Sequence, residues 1–357
     1  MFKYISGWFE RQFSNPQSTI LTLLLLFLFS IILLFGEILA PILAAVVIAY
    51  LLDDIVFKIS KIIKIHRMFS VMLVFVLFLI FVLFVFIYIV PLASSQLAQF
   101  ITKAPSYIDS GRQLILELAQ SYPVIFNSSF ADDVSNNIAQ SMTEFSQNIL
   151  GKVLSFIPGI VAAVIYVVML PILVLFMLKD KELILSWTKR FLPTDHSLTV
   201  KVWKEVDHQL GNYVLGKFWE ILIVGATTYV CFIIFELQYA LLLAVIVGLS
   251  VLIPYIGATV VTIPIALVGL GQFGPGATFL YLMLAYLVLQ ALDGYVLVPL
   301  LFSEAVDLHP VAIISAILLF GGIWGFWGLF FAIPLAILIS SVISAWPGEL
   351  SVAASKE

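Results

Sequence analysis

The sequence predicts an all-α, polytopic helical membrane protein of about eight hydrophobic segments, with two Gly/Pro-broken hairpins in its C-terminal half. Three observations predict it. Hydrophobic residues make up 62% of the chain and charged residues only 11%, against roughly 25% charged in ordinary soluble domains. Residues 218–355 contain no Lys or Arg, yet they keep Glu220, Glu236, Asp293, Glu304, Asp307 and His309. A soluble surface of that extent needs cations, whereas helices in lipid exclude them and retain only those ionisable groups that can be sheltered. Finally, apolar runs of spanning length follow one another from residue 18 onward, separated by short polar clusters.

The first run, 18–35, follows the amphipathic leader MFKYISGWFERQF, whose cations are Lys3 and Arg11. It resembles a signal peptide, but its apolar core is longer than a typical one. A second run, 38–52, follows after Gly36 and Glu37, so a retained helical hairpin is expected. A third span is placed at 69–90, which closes an N-terminal group of membrane helices over 1–90. The fourth, 153–178, carries Pro158 and Pro171. Proline frees a backbone carbonyl that lipid cannot satisfy, so this span is expected to pack against protein.

The cations set the expected orientation. Lys58, Lys61, Lys64 and Arg67 lie between 53 and 70, and Lys179, Lys181, Lys189, Arg190, Lys201, Lys204 and Lys217 lie between 179 and 217. Both segments are expected in the cytoplasm, with the N-terminus inside. Residues 91–152 hold only Lys103, Arg112 and Lys152 and are expected outside. There, Val134, Ile138, Met142, Phe145 and Ile149 recur at helical spacing, with Asp132, Asp133, Asn136 and Asn137 at the N-terminal end. Two roles are open for this segment: a cap packed on the bundle or on a neighbouring subunit, and a gate for substrate.

The segment 179–218 is expected to be amphipathic. Leu198, Val202, Val206, Leu210 and Tyr213 or Val214 form one stripe, with Lys201 and Glu205 paired on the wet side, so it is placed along the inner membrane surface. It ends in a decoy. Residues 211–217 spell G-x-x-x-x-G-K, the phosphate-cradling loop, but Phe218 stands where a Ser or Thr would hold the metal ion. The run also lies at the end of a helix leading into a span rather than between a strand and a helix, so nucleotide binding is set aside.

The C-terminal transport module is placed at 219–346, with a tail at 347–357. After a short span at 219–235, the stretches 239–253 and 258–271 are too short to cross individually. They flank Pro254-Tyr255-Ile256-Gly257. In the same manner 311–320 and 329–346 flank a Gly- and Trp-rich run that includes Gly325 and Gly328. The landmarks superpose at an offset of 70 residues, Ile253 on Ile323 and Ile263-Pro264-Ile265-Ala266 on Ile333-Pro334-Leu335-Ala336. Composition alone can produce such a match, and so can a repeat. Paired Gly/Pro-interrupted segments are the sequence pointer to a transporter's midplane site.

Between the hairpins lies Gln290-Ala291-Leu292-Asp293-Gly294, followed by Pro299, Glu304 and His309. Asp293 has two readings. At membrane depth its carboxylate would cost about 2.5–3.5 kcal/mol, with no Lys or Arg in the region to pair it, and would be protonated, hydrated or cation-bound. At the membrane surface, Asp293-Gly294 would be a helix end with Gly294 as a left-handed cap. Glu304, Asp307 and His309 are placed at the interface. The candidate substrate or ion pathway is therefore Asp293, Gln290, Pro254, Tyr255, Gly257, Pro299, Glu304, His309, Gly325 and Gly328.

Several classes are set aside. The single cysteine, Cys231, allows neither an intramolecular disulfide nor a CxxC site and reads as a small buried hydrophobe. His66, His196 and His208 have no metal-ligand spacing, and no enzymatic constellation emerges, so no catalytic residue, metal or cofactor is expected. No basic face alternates with stackable aromatics, which excludes nucleic acid as a partner.

A set of ordered motifs carries a resemblance. Ala49-Tyr50-Leu51-Leu52 after Pro41, Phe176-Met177-Leu178-Lys179-Asp180, Ile253-Pro254-Tyr255-Ile256-Gly257, Leu292-Asp293 with Pro299, Leu308-His309-Pro310, and Phe326-Trp327-Gly328 through Ile333-Pro334-Leu335 resemble the autoinducer-2 exporter family, and within it the PerM-type permeases. The resemblance covers roughly residues 15–345. It implies a bacterial inner-membrane permease, homo-oligomeric in the lipid bilayer, and does not supply the substrate. Gly294 departs from the Asn often expected after the Asp. Three functions follow as expectations: export of a small polar metabolite such as autoinducer-2, sodium/proton exchange at Asp293 aided by Glu220 or Glu236, and a non-transporting scaffold acting through 92–150.

Overall fold

The computed structural model describes residues 16–121, 157–190, 197–254, 256–302 and 308–345. Among them the chain is helical throughout, with no strand. α1 (Pro16–Ile63) bends at Phe35, whose backbone leaves helical geometry, and carries Pro41. α2 (Arg67–Phe84) passes through a π turn at Val85–Ile89 into α3 (Val90–Ser121). Then come α4 (Ile157–Lys179), α5 (Lys181–Lys189), α6 (Ser197–Ile234), α7 (Ala240–Ser250), α8 (Ile256–Phe273) and α9 (Ala277–Leu292). A second π turn, Asp293–Leu297, joins α9 to α10 (Val298–Phe302), and α11 (Pro310–Ala345) closes the described chain.

Among the described residues, five stretches are long and apolar enough to cross a bilayer: Ile38–Ile63, Arg67–Tyr107, Trp203–Ile234, Ile256–Phe273 and Ala277–Phe302. Shorter apolar helices are Val167–Lys179, Ala240–Ser250, Pro310–Gly325 and Trp327–Val342. Large apolar side chains stand on the outside, among them Leu34 at 76% and Ile234 at 73% exposure. In water such surface would be driven to aggregate; against lipid tails it costs nothing. The protein is an all-α polytopic membrane protein.

Several elements run further than the hydropathy suggests. Lys58 and Lys61 belong to α1, and only residues 64–66 separate it from α2. The helix expected to stop at 90 continues to Ser121. The amphipathic stretch that starts at residue 197 is not a separate surface helix but the first half of the 38-residue α6. Its stripe is nevertheless used, since Val206 and Tyr213 are buried while Lys204, Glu205, Asp207 and His208 are exposed. α8 has 18 residues rather than fourteen, long enough to span. The stripe at 134–149 and residues Asp132 and Asp133 fall outside the described residues.

The chain forms two compact units. One comprises residues 1–76, 168–216 and 301–357. In it Asp53 accepts from Arg67 (3.0 Å) and Lys181 (2.7 Å), and Arg67 also donates to the Leu178 carbonyl. Pro171, Val174 and Leu178 are buried, so the proline-bearing α4 does pack against protein here. The decoy glycines have packing reasons. A Cβ on Gly211 would strike the Tyr50 ring, and one on Gly216 would lie 2.7 Å from the Phe302 ring. Both glycines lie within a continuous helix whose amides are committed to it, so no phosphate cradle exists.

The second unit comprises residues 77–167 and 217–300. Its core gathers Phe232, Leu243, Val247, Ile265, Val268, Leu282 and Tyr286, with Cys231 packed at the edge. α6 and α7 approach closely because Gly248 faces Gly225; a Cβ there would lie 3.1 Å from the Gly225 Cα. The side chain of Gln96 accepts from the Leu242 amide (2.8 Å) in the first turn of α7, supplying an acceptor that helix N-termini lack. Gln272 clips the α6–α7 connection, accepting from the Gln238 amide (2.7 Å) and donating to the Glu236 carbonyl (2.8 Å).

Candidate functional site

The two expected broken hairpins are present, and both breaks use the same contact. In the second unit α7 stops after 11 residues and a turn leads into α8. Gly257, in the first turn of α8, lies so close to the Ser250 carbonyl that a Cβ would sit 1.8 Å from its oxygen. In the first unit α11 breaks at Gly325 (φ 57°, ψ −134°), a conformation open to glycine. Beyond it Gly328 lies against the Phe320 carbonyl at the same 1.8 Å for a hypothetical Cβ. Ser250 and Phe320 are 70 positions apart, as are Pro264 and Pro334.

The first break carries charge. Lys217 and Glu220 are one helical turn apart on α6, 8% and 2% exposed, with Nζ 2.6 Å from Oε2. Lys217 also donates to the Val251 carbonyl (2.9 Å), at the residue that ends α7. Carbonyls at a helix C-terminus have no intrahelical donor and carry the negative end of the dipole, so an ammonium there is doubly favoured.

Asp293 opens the π turn. Its amide is shared between the Leu289 and Gln290 carbonyls, and the Val298 amide reaches back to its own carbonyl. The helix therefore continues through Gly294, which does not adopt the left-handed cap expected for a helix end. Asp293 lies within the spanning stretch Ala277–Phe302, and its Oδ1 is buried with no hydrogen-bond partner. π turns of this kind cluster at functional sites because they re-aim side chains out of the helical ladder.

A cleft of about 300 Å³ opens beside it, lined by Thr227, Thr228, Gln290 and Asp293 among apolar residues of α6, α9 and the π turn. Thr228 is fully buried. Gln290 donates to the Tyr286 hydroxyl (2.6 Å), which lies 3.4 Å from both the Thr262 hydroxyl and the Ala258 carbonyl. Tyr286, Gln290 and Asp293 follow at i, i+4 and i+7, one face of the helix. A few polar groups converging in an otherwise apolar cavity are what orients a small solute.

The expected pathway residues are therefore distributed. Asp293 and Gln290 line the cleft, and Pro254 and Gly257 build the turn at the end of α7. Pro299 is exposed on α10, and Gly325 and Gly328 form the break in α11. His309 caps α11, its Nδ1 accepting from the Val311 amide at 3.2 Å. Tyr255 and Glu304 lie outside the described residues. Glu236 sits exposed in the α6–α7 connection with φ 51°, away from helical geometry. Sequence reasoning passed over Lys217 as a partner because the cation-free stretch begins one residue after it. Its i,i+3 spacing to Glu220 was the available signal.

A polytopic membrane chain with interrupted helices, a buried ion pair at one break and a mostly apolar cleft holding a few polar groups has the form of a membrane transport protein. The model of the AI-2E family transporter matches residues 20–348, and the chain belongs to that family. It is 42% identical over 347 residues to PerM of Escherichia coli (strain K12), covering 97% of this chain and 98% of PerM. More distant likenesses are YueF of Bacillus subtilis (strain 168), 26% over 70% of this chain and 69% of YueF, and MJ1177 of Methanocaldococcus jannaschii, 25% over 65% and 71%.

Proposed function

We propose that this chain is a cation-coupled secondary transporter of the bacterial inner membrane, with its N-terminus cytoplasmic, that exports a small polar solute such as autoinducer-2. The observation that carries the coupling is Asp293, a carboxylate within a spanning stretch whose buried Oδ1 has no hydrogen-bond partner. An unmatched carboxylate in that setting favours a proton or sodium ion as its counter-charge. Thr227, Thr228 and Gln290 suit an uncharged polar cargo, since they offer hydrogen bonds without a fixed cation. The pathway extends to Pro254, Gly257 and Pro299. Family membership supports transport, the Lys and Arg distribution supports the orientation, and a homo-oligomer fits the resemblance to the PerM-type permeases.

The same carboxylate favours a second reading, sodium/proton exchange, in which the cation at Asp293 is itself the cargo. Proteoliposomes under an imposed proton gradient separate the two by whether autoinducer-2 or sodium alone moves. In either case Asp293→Asn is expected to reduce coupled flux to background while leaving assembly in detergent intact. Normal flux by that variant would sink the carboxylate mechanism.

A further inference from the structure

We infer that Gln290 is the partition between two cavities of one solute route through the second unit, and that a small uncharged polyol crosses it by taking over the hydrogen bond from Gln290 to Tyr286. The inference rests on the transport reading above and names its cargo class. Two cavities adjoin α9. One, of about 300 Å³, is the cleft holding Thr227 and Asp293 on the side of α6. The other, of about 560 Å³, lies on the side of α8 and is lined by Ala258, Thr259, Thr262 and apolar residues. Gln290 stands in the wall of both, so at that point a single residue separates them.

The hydrogen bonds around Gln290 leave one to exchange. Its Nε2 donates to the Tyr286 hydroxyl at 2.6 Å, and Tyr286 is fully buried. The hydroxyl's own proton has poorer acceptors. The Ala258 carbonyl and the Thr262 hydroxyl both lie at 3.4 Å, beyond the roughly 2.5–3.0 Å of a well-made O–H···O bond. The Ala258 carbonyl also accepts from Thr262 at 2.7 Å. Tyr286 thus has one short bond, as acceptor, and a proton only weakly bound. A solute hydroxyl accepts and donates at once, so it can receive the Tyr286 proton and then replace the phenol oxygen as the acceptor for Gln290. An apolar solute that pushed Gln290 aside would strand both groups, which is costly in a buried site. A charged one finds no counter-ion among the residues lining the larger cavity, none of which is ionisable. Selectivity in such a route comes from the width, donors and acceptors of its narrowest point, which makes Gln290 the specificity-determining residue.

The test uses the full chain in proteoliposomes, with erythritol as the polyol and light scattering to follow its entry. Tyr286→Phe keeps the buried ring and removes only the hydroxyl; with one net hydrogen bond gone, erythritol permeability should rise about fivefold. Gln290→Ala removes the bond and the bulk together and should raise it about tenfold or more. Sucrose should stay excluded in both. An unchanged erythritol permeability in either variant overturns the partition, and so does a leak that admits sucrose equally, which would mark general loosening of the helices. A second readout uses single cysteines in a Cys231→Ser background. Thr259→Cys and Thr227→Cys should each react with a membrane-impermeant methanethiosulfonate in only one of right-side-out and inside-out membrane vesicles, and not in the same one. Failure of either to react, or reaction of both from one face, overturns the single route. If the parent carries none of autoinducer-2, sodium and erythritol, the transport reading falls and this inference with it. If the parent carries one of them and the variants do not leak, only the role of Gln290 is lost.

Discussion

The two broken hairpins share a backbone device and differ in what surrounds it. At the end of α7 the contact of Gly257 with the Ser250 carbonyl is accompanied by the Lys217–Glu220 ion pair, whose ammonium reaches the Val251 carbonyl. At the break in α11 the contact of Gly328 with the Phe320 carbonyl is accompanied by aromatic rings: Trp324 stacks on Phe331 at 5.8 Å, and Trp327 on the same ring at 6.2 Å. One break carries a buried ion pair and the other packed rings. Similar backbones thus acquire different chemistry from their side chains.

That contrast can be broken experimentally. The largest effect is expected from Glu220→Ala, which takes the ion-pair partner 2.6 Å away from the buried Lys217 ammonium and should cost about 3–5 kcal/mol. Thermal unfolding in detergent would read this as a collapse of folded yield. If the variant unfolds like the parent, charge does not hold the first break. Next come Gly257→Ala and Gly328→Ala, each pressing a methyl onto a carbonyl and each expected to cost about 3 kcal/mol, the upper end of overpacking penalties. Similar losses in the two sharpen the equivalence of the breaks, and a large loss in only one refutes it. Gly325→Ala should cost about 1–3 kcal/mol through its positive φ alone, since no atom lies within 4 Å of the added methyl. The smallest change is expected from Gly294→Ala, helical in backbone and open around its Cα. It should stabilise by about 0.5–1 kcal/mol if it does anything.

How much of this was legible in the sequence varies by residue. The absence of Lys and Arg from residues 218–355 announced the membrane, and Pro254 and Gly257 announced the first break. The offset of 70 residues holds for the two carbonyls, Ser250 and Phe320, but not for the glycines that meet them, Gly257 and Gly328, which stand 71 apart. The π turns were not legible. A helix apolar on all sides shows no 3.6-residue period, so one extra residue at Val85–Ile89 or Asp293–Leu297 leaves no trace in the pattern. Helix ends were misplaced for a related reason: falling hydropathy marks where a helix leaves lipid, not where it stops, so α3 and α6 continue through water-facing residues without interruption. Lys217 was hidden by where the count of cations began, and its partner Val251 is 34 positions away, beyond any local pattern.

The π turn at Asp293–Leu297 is also a store of slack. One surplus residue in a helix is a length of chain that can be taken up or paid out without unwinding the rest. If it were absorbed into regular α geometry, every residue beyond it would rotate by about 100° about the helix axis. Asp293 stands at the mouth of that slack, so the means of re-aiming its side chain lies within its own helix.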